Sequence, residues 1–250
     1  MNRTLSIAAL AALFAASAFA ADTGGDPHWG YTGKSAAPHW GDLQSDFAAC
    51  KLGREQSPID IRKTAKASAF VPLEFSYTPS AAEVVNNGHT IQVNLASGGS
   101  VKLASGSAEL LQFHFHAPSE EKINGKAYPL VAHLVHKDAQ GKLAVVGVLF
   151  KVGKTNPVLA KVFAAMPANA GGKAPLAEPF DAAALLPADR SYWAFMGSLT
   201  TPPCSEGVRW QVLRTPVELS RAQLAAFRKL YPMNARPVQP LNGRKVEFNG

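Results

Sequence analysis

Several familiar kinds of protein are excluded by what this sequence lacks. Only two cysteines occur, Cys50 and Cys204, and neither belongs to a Cys-x-x-Cys pair, so thiol redox catalysis and a cysteine-rich scaffold are both set aside. Beyond the first twenty residues no apolar run is long enough to cross a bilayer; Leu143 to Phe150 has the length of a strand. No repeat of solenoid period shows, and no segment is low enough in complexity to read as disordered. The net charge is +7, yet the basic residues are scattered rather than blocked and form no nucleic-acid-binding motif. We read that charge as a source of solubility and of loose attraction to an anionic envelope. What remains is 250 residues, 47% hydrophobic and 17% charged, an ordinary globular composition.

The N-terminus differs from the rest. Arg3 supplies a positive start, an Ala-rich apolar run follows from Leu5 to Phe14, and Ala18 and Ala20 give a small-x-small cleavage signature. This pattern predicts a secretory signal peptide over residues 1–20 and a mature chain over 21–250. An uncleaved anchor is the alternative, and the run is short for one. Export implies an oxidising compartment, periplasmic or extracellular. There an even cysteine count suggests one disulfide between Cys50 and Cys204, with two buried free thiols as the alternative.

Residues 24–60 are rich in Gly, Pro, Trp and His and read as irregular. From Phe70 to Phe150, short β-branched or apolar runs alternate with turn residues such as Asn87-Gly88, Gly98-Gly99 and Asn124-Gly125. Two helices are expected. Asn156-Pro157 opens one that runs to about Met166, as N-cap and first-turn proline. Ser220 opens the other, with Gln223 completing a capping box and Leu224, Phe227 and Leu230 on one face. The stretch 167–180 reads as a Pro/Gly/Ala loop. No linker divides the chain, so the expectation is a single domain, mainly β with peripheral helices.

The informative histidines lie in Gln112-Phe113-His114-Phe115-His116 and Ala132-His133-Leu134-Val135-His136. Residues two apart in a strand share a face, so His114 and His116 point one way and Phe113 and Phe115 the other. Asn124-Gly125 is a strong hairpin signal midway between the two segments. In a hairpin closed there, opposed residues have numbers summing to that of the turn pair, which sets 116 opposite 133 and 114 opposite 135. Opposed residues share a face, so His114, His116 and His133 converge on one patch with Val135 beside them, while His136 falls on the other side. Pro118 and Pro129 cannot both sit in an unbroken ladder, and a bulge there would shift the register. Three imidazoles on a rigid sheet suit Zn²⁺ and leave the fourth tetrahedral position for water, the catalytic arrangement; copper or nickel could also bind such a set.

Read in order, Gln56-Ser57-Pro58-Ile59-Asp60, Asn86-Asn87-Gly88-His89, Gln112-Phe113-His114-Phe115-His116, His133-Leu134-Val135-His136 and Ser198-Leu199-Thr200-Thr201-Pro202-Pro203 resemble the alpha-class carbonic anhydrases. His28-Trp29-Gly30-Tyr31 and Asn234-Ala235-Arg236-Pro237 fit as well, and the resemblance covers essentially residues 27–248. The bacterial exported branch is the most similar. The resemblance implies a large, twisted, mostly antiparallel sheet with zinc at the base of a conical cleft, and reversible hydration of CO2 to bicarbonate and a proton. It implies His114, His116 and His133 as zinc ligands, Thr200 as the group that orients the attacking hydroxide, Glu120 as its carboxylate partner and His89 as the proton shuttle. Val135, Val145, Leu199, Val208 and Trp210 match the apolar wall where CO2 rests, with Thr201 also on the substrate side. Tyr31, Asn87 and Gln92 match the wet side, and Trp29, Trp40 and Trp193 read as core or rim packing. Gln112 is available to His114, and the backbone of Asn234 to His116.

The sequence departs from that pattern once. The family usually has a glutamate two residues before the third ligand, as a partner for it, and here that position is Val131. Loss of such a partner typically costs about 10- to 100-fold in metal affinity or activity, so the expectation is looser zinc binding than is usual in the family. Two other readings stay open: a non-catalytic carbonic-anhydrase-like binding module, and a zinc hydrolase with an ester side activity. The expected partner is CO2 or bicarbonate, with no nucleic acid and no membrane span after leader removal, as a monomer or a homodimer. N-terminal sequencing of protein recovered from the periplasm or medium should begin at about Ala21; an intact leader on that material would remove the signal-peptide reading.

Overall fold

The computed structural model describes residues 29–62, 64–66 and 71–248. The leader expected over 1–20 lies outside them. Seven strands carry the architecture: β1 (Ala82–Asn86), β2 (Ile91–Leu95), β3 (Gly106–His116), β4 (Leu130–Asp138), β5 (Leu143–Val152), β6 (Tyr192–Ser198) and β7 (Glu206–Leu213). They lie side by side in the order β1-β2-β3-β4-β5-β7-β6; short strands at both edges and three more off this path, paired through β3 and β5, bring the sheet to thirteen among the described residues. Neighbours are antiparallel except for β5 with β7 and two short pairings, so the sheet is mixed and mostly antiparallel.

Side-chain alternation divides the sheet into two faces. On one face, Phe113 and Phe115 of β3, Leu130, Ala132 and Leu134 of β4, and Val146, Val148 and Phe150 of β5 form the main core. On the other, Val131 and Val135 of β4, Val145 and Leu149 of β5, and Val208, Trp210 and Val212 of β7 form a second apolar cluster. Strands β4 and β5 are therefore apolar on both sides, and their sequences read as near-continuous hydrophobic runs for that reason. A bulge opposite Val135 and His136 inserts one extra residue in β3, so Leu110 and Phe113 share the core face although their numbers differ by three.

The two helices cover the main core. The first, α1 (Pro157–Ala164), is capped by the Asn156 side chain, which accepts from the N–H groups of Val158 and Leu159. The second, α2 (Arg221–Leu230), has the reciprocal Ser220–Gln223 capping box, with Leu224 and Phe227 buried and Leu230 packed against the core. The stretch 167–180 differs from a plain loop: Lys173–Pro175 pairs with β1 as an edge strand. An edge position needs ladder hydrogen bonds on one side only, so it tolerates Pro175.

Residues 33–52 run as short helical turns around Trp40, against which Trp29 and Tyr31 pack edge-on. The disulfide is formed: Cys50 and Cys204 are bonded at 2.08 Å, 154 positions apart in sequence. A link across so long a loop restricts the unfolded chain strongly, by about 5 kcal/mol in the chain-entropy view. Replacing both cysteines by serine should lower the unfolding free energy by roughly 2–5 kcal/mol, read as a fall in the denaturant midpoint. An unchanged midpoint would show that the bridge does not constrain this chain.

Candidate metal centre

The three histidines meet on one face. His133 on β4 pairs directly with His114 on β3, and His116 lies two residues further along. This is the expected convergence with a different register. The Asn124-Gly125 turn does close a hairpin in the predicted register, with Ile123 opposite Lys126 and Lys122 opposite Ala127. Both turn residues have positive φ, 52° and 82°, as a tight hairpin turn requires. That hairpin, however, belongs to a separate small sheet with Asp60–Ile61. Between Ala117 and Pro129 the chain leaves the main sheet, and it returns with β4 shifted by two residues, so Val131 rather than His133 faces His116. A shift of two preserves the face, which is why the histidines still converge. His136 points into the main core, where its Nε2 lies 2.6 Å from the Tyr77 hydroxyl.

One ring nitrogen from each histidine lies within 4.8 Å of the others, the scale of a single coordination sphere. The opposite nitrogens are tied. His114 Nδ1 is 2.9 Å from Gln112 Oε1, and His116 Nδ1 is 2.7 Å from the Asn234 carbonyl. Both acceptors are the expected ones, and each directs Nε2 of its ring inward. His133 is turned round: its Nε2 contacts Glu121 at 3.2 Å, leaving Nδ1 for the centre. His133 is therefore not without a carboxylate, although position 131 is valine. The expected loosening of metal binding loses its physical ground. Sequence reasoning missed Glu121 because nothing in the spacing shows that the loop 117–129 folds back onto β4. The available signal was a second acid beside Glu120 and an apolar residue at 131.

The residues fit a metal ion. His116 Nε2 and Glu120 Oε2 are buried without a hydrogen-bond partner, and Glu120 Oε2 lies 3.4 Å from His116 Nε2 and 3.8 Å from His133 Nδ1, the inward nitrogens. Burial, aided by the neighbouring His133, holds His114 down to about 3; burial likewise holds His116 well below the ordinary imidazole range. Both rings thus stay neutral, the form that donates a lone pair to a metal. At His133 burial acts downward most strongly, but the Glu121 and Glu120 carboxylates together outweigh it, and the ring is raised.

Glu120 sits beside the centre, with Oε2 at 3.4 Å from His116 Nε2. The Arg236 backbone N–H donates to its Oε1 at 2.8 Å. Burial raises this carboxyl to about 7 and the neighbouring Glu121 adds to the rise, while His133, a hydrogen bond from the Thr200 hydroxyl and the Arg236 N–H act downward. Thr200 is buried just after β6, in a turn that the disulfide pins at Cys204; Thr201 contributes its carbonyl, which accepts from the Cys204 N–H. The turn is clasped from the other side. Gln56 Nε2 donates to the Cys204 carbonyl, the Ser57 N–H to Ser198 Oγ, and Trp210 Nε1 to the Ser198 carbonyl.

Val135, Val145, Val208 and Trp210 share one apolar cluster with Leu199 packed against it, and Trp210 meets the His133 ring edge-on at 4.9 Å. On the polar side Gln92 pairs across the strands with His114, and Asn87 Nδ2 donates to Gln92 Oε1 at 3.4 Å. His89 sits half-buried at the β1–β2 turn, which the Asn87 carboxamide closes, and stacks on Trp29 with ring centroids 3.6 Å apart.

Fold and site together define a mixed sheet carrying three histidines that could hold one metal ion, between a polar turn and an apolar wall. The model of the eukaryotic-type carbonic anhydrase family matches residues 35–250. The carbonic anhydrase of Neisseria gonorrhoeae is 46% identical over 98% of this chain and 97% of its own. That of Pectobacterium atrosepticum is 43% identical over 94% and 96%. The alpha-carbonic anhydrase of Thermovibrio ammonificans, solved with the inhibitor sulfanilamide, aligns with a TM-score of 0.86 at 52% identity, covering 89% of this chain and 100% of that one. The chain belongs to the eukaryotic-type, or alpha, carbonic anhydrase family, a zinc-dependent family of lyases of the carbonate dehydratase type.

Arg236 is a further residue the sequence did not single out as functional. It is buried, and its guanidinium donates to Gln56 Oε1 and to the carbonyls of Ser57 and Cys50. Arg236→Met would strand three buried acceptors in the clasp around Glu120 and Thr200. The variant should be about 3 kcal/mol less stable in denaturant titration. A loss near zero would show that water replaces these bonds.

Proposed function

We propose that this chain catalyses reversible hydration of CO2 to bicarbonate and a proton, with one zinc ion held by Nε2 of His114, Nε2 of His116 and Nδ1 of His133, outside the cytoplasm. The observation that carries this reading is the set of three inward ring nitrogens, each with its other nitrogen tied away. When bound to such a set, zinc lowers the pKa of a water to about 7, a value characteristic of carbonic anhydrases generally, so that hydroxide is available at neutral pH.

The protein groups then have separate tasks. Thr200, donating its proton to Glu120, can only accept from the nucleophilic oxygen, and so aims that oxygen's free lone pair. Glu120 can accept that proton only as a carboxylate, and a cation at the three nitrogens favours that form. Val135, Val145, Leu199, Val208 and Trp210 offer CO2 an apolar surface, whereas charged bicarbonate gains nothing from staying there. Gln112, Asn234 and Glu121 hold the three rings in place. His89 lies at the half-exposed turn beside Trp29, where an imidazole, which ordinarily titrates near neutrality, can pass a proton to solvent. The N-terminal leader pattern and the formed disulfide support export.

Stopped-flow CO2 hydration with a pH indicator tests the reading. The zinc-loaded chain should turn over, and Thr200→Ala should lower kcat/KM by about 100-fold. His89→Ala should lower kcat by about tenfold or more with little change in kcat/KM, and added imidazole buffer should restore it. A zinc-loaded chain without hydration activity would instead identify a binding module.

A further inference from the structure

We propose that Glu121 positions His133 for the metal, its carboxylate accepting the Nε2–H so that the Nδ1 lone pair faces the other two histidines. The inference rests on the zinc reading given above. Both oxygens of Glu121 stand 3.2 Å from His133 Nε2. An ionised carboxylate has no proton to give, so the ring must carry its hydrogen on Nε2, and its lone pair is left on Nδ1. His114 and His116 are tied through Nδ1 instead. His133 is reversed relative to them at the common centre, and Glu121 selects the reversal. Gln112 and the Asn234 carbonyl are neutral acceptors, so Glu121 is the one carboxylate on an outward nitrogen of the three rings.

The side chain has little freedom to do anything else. Glu121 is fully buried. The residue after it is fixed by parallel pairing with Asp60, and the Lys122 N–H donates to the Ile59 carbonyl at 3.2 Å. The carbonyl of Glu121 itself accepts from Ser119 Oγ at 2.7 Å. Among the described residues His133 is the hydrogen-bond partner of the carboxylate, and Oε1 has none of its own. A buried charge held this way is costly unless the ring opposite serves a cation. The simpler source of such a carboxylate would be position 131, two residues from His133 on the same face. It holds Val131, fully buried in the apolar cluster. The loop 117–129 supplies from above what the strand does not.

Zinc affinity of the intact chain, measured by chelator competition, tests this without reference to turnover. Glu121→Gln, nearly the same size, and Glu121→Ala should each bind zinc about 10- to 100-fold more weakly than wild type. Val131→Glu added to E121A returns a carboxylate to the same ring from the strand, and should recover part of the lost affinity. A merely space-filling role for Glu121 would show no such recovery. Thermal melting of the zinc-free proteins checks that folded chains are compared; if E121A does not fold, E121Q carries the measurement. Wild-type affinity in E121Q, or a loss in E121A that V131E leaves untouched, overturns the positioning role. With one zinc bound by wild type, either result leaves the zinc reading standing. A wild-type chain that takes up no zinc overturns both.

Discussion

Three rings can serve one ion only if none of them is free to turn, and the hydrogen bond on the outer nitrogen of each ring prevents it. An imidazole presents two similar nitrogens, and burial alone does not choose between them. Gln112 and the Asn234 carbonyl choose Nε2 for His114 and His116, and Glu121 chooses Nδ1 for His133. The three partners come from different places: a neighbour on the same strand, a carbonyl far along the chain, and a loop between strands. Desolvation then acts in the same direction as orientation, because it keeps His114 and His116 neutral and their lone pairs available.

The rest of the molecule holds a turn against that centre. Thr200 lies where β6 ends, and a free turn at a strand end would wander. Here the disulfide at Cys204, the Gln56 and Ser57 contacts, and the Trp210 indole N–H fix it from several sides. Arg236 extends the same clasp: its backbone N–H reaches Glu120 while its guanidinium reaches Gln56. Residues that look like motif punctuation in the sequence are thus the frame of the turn, and they touch the chemistry only through it. The centre also stands between unlike surroundings, with Trp210 and its apolar neighbours on one side and the Gln92–Asn87 pair on the other. The two sides of the centre therefore offer an apolar and a polar surface.

Much of this was legible in the residues, for local reasons. Both helix starts follow from side chains that cap their own backbone, Asn156 and Ser220, so they need no partner elsewhere. The Asn124-Gly125 turn forms as its φ preferences require. The convergence of the histidines was legible for a subtler reason: strand faces repeat every two residues, so a register error of two leaves every side chain on its proper face. The same arithmetic failed to say which histidine faces which, because it carried the hairpin register through Pro118 and Pro129 into a different sheet. It also could not show Lys173–Pro175 as an edge strand, since that segment pairs only because β1 offers it an open side.

The sequence by itself determined the three histidines, the face they share, the helix caps and the cysteine pair, because each depends on near neighbours or on strand periodicity. Only the tertiary structure decided which nitrogen of each ring points inward and which group holds it there. The expectation built on Val131 shows the limit. Position along a strand says what residue 131 could reach, but it says nothing of a loop that returns from the other side. Glu121 meets His133 because Lys122 and Ile123 pair with Asp60 and Ile61, more than sixty residues earlier in the chain. Contacts of that kind are set by the closing of the whole sheet, and no local pattern encodes them.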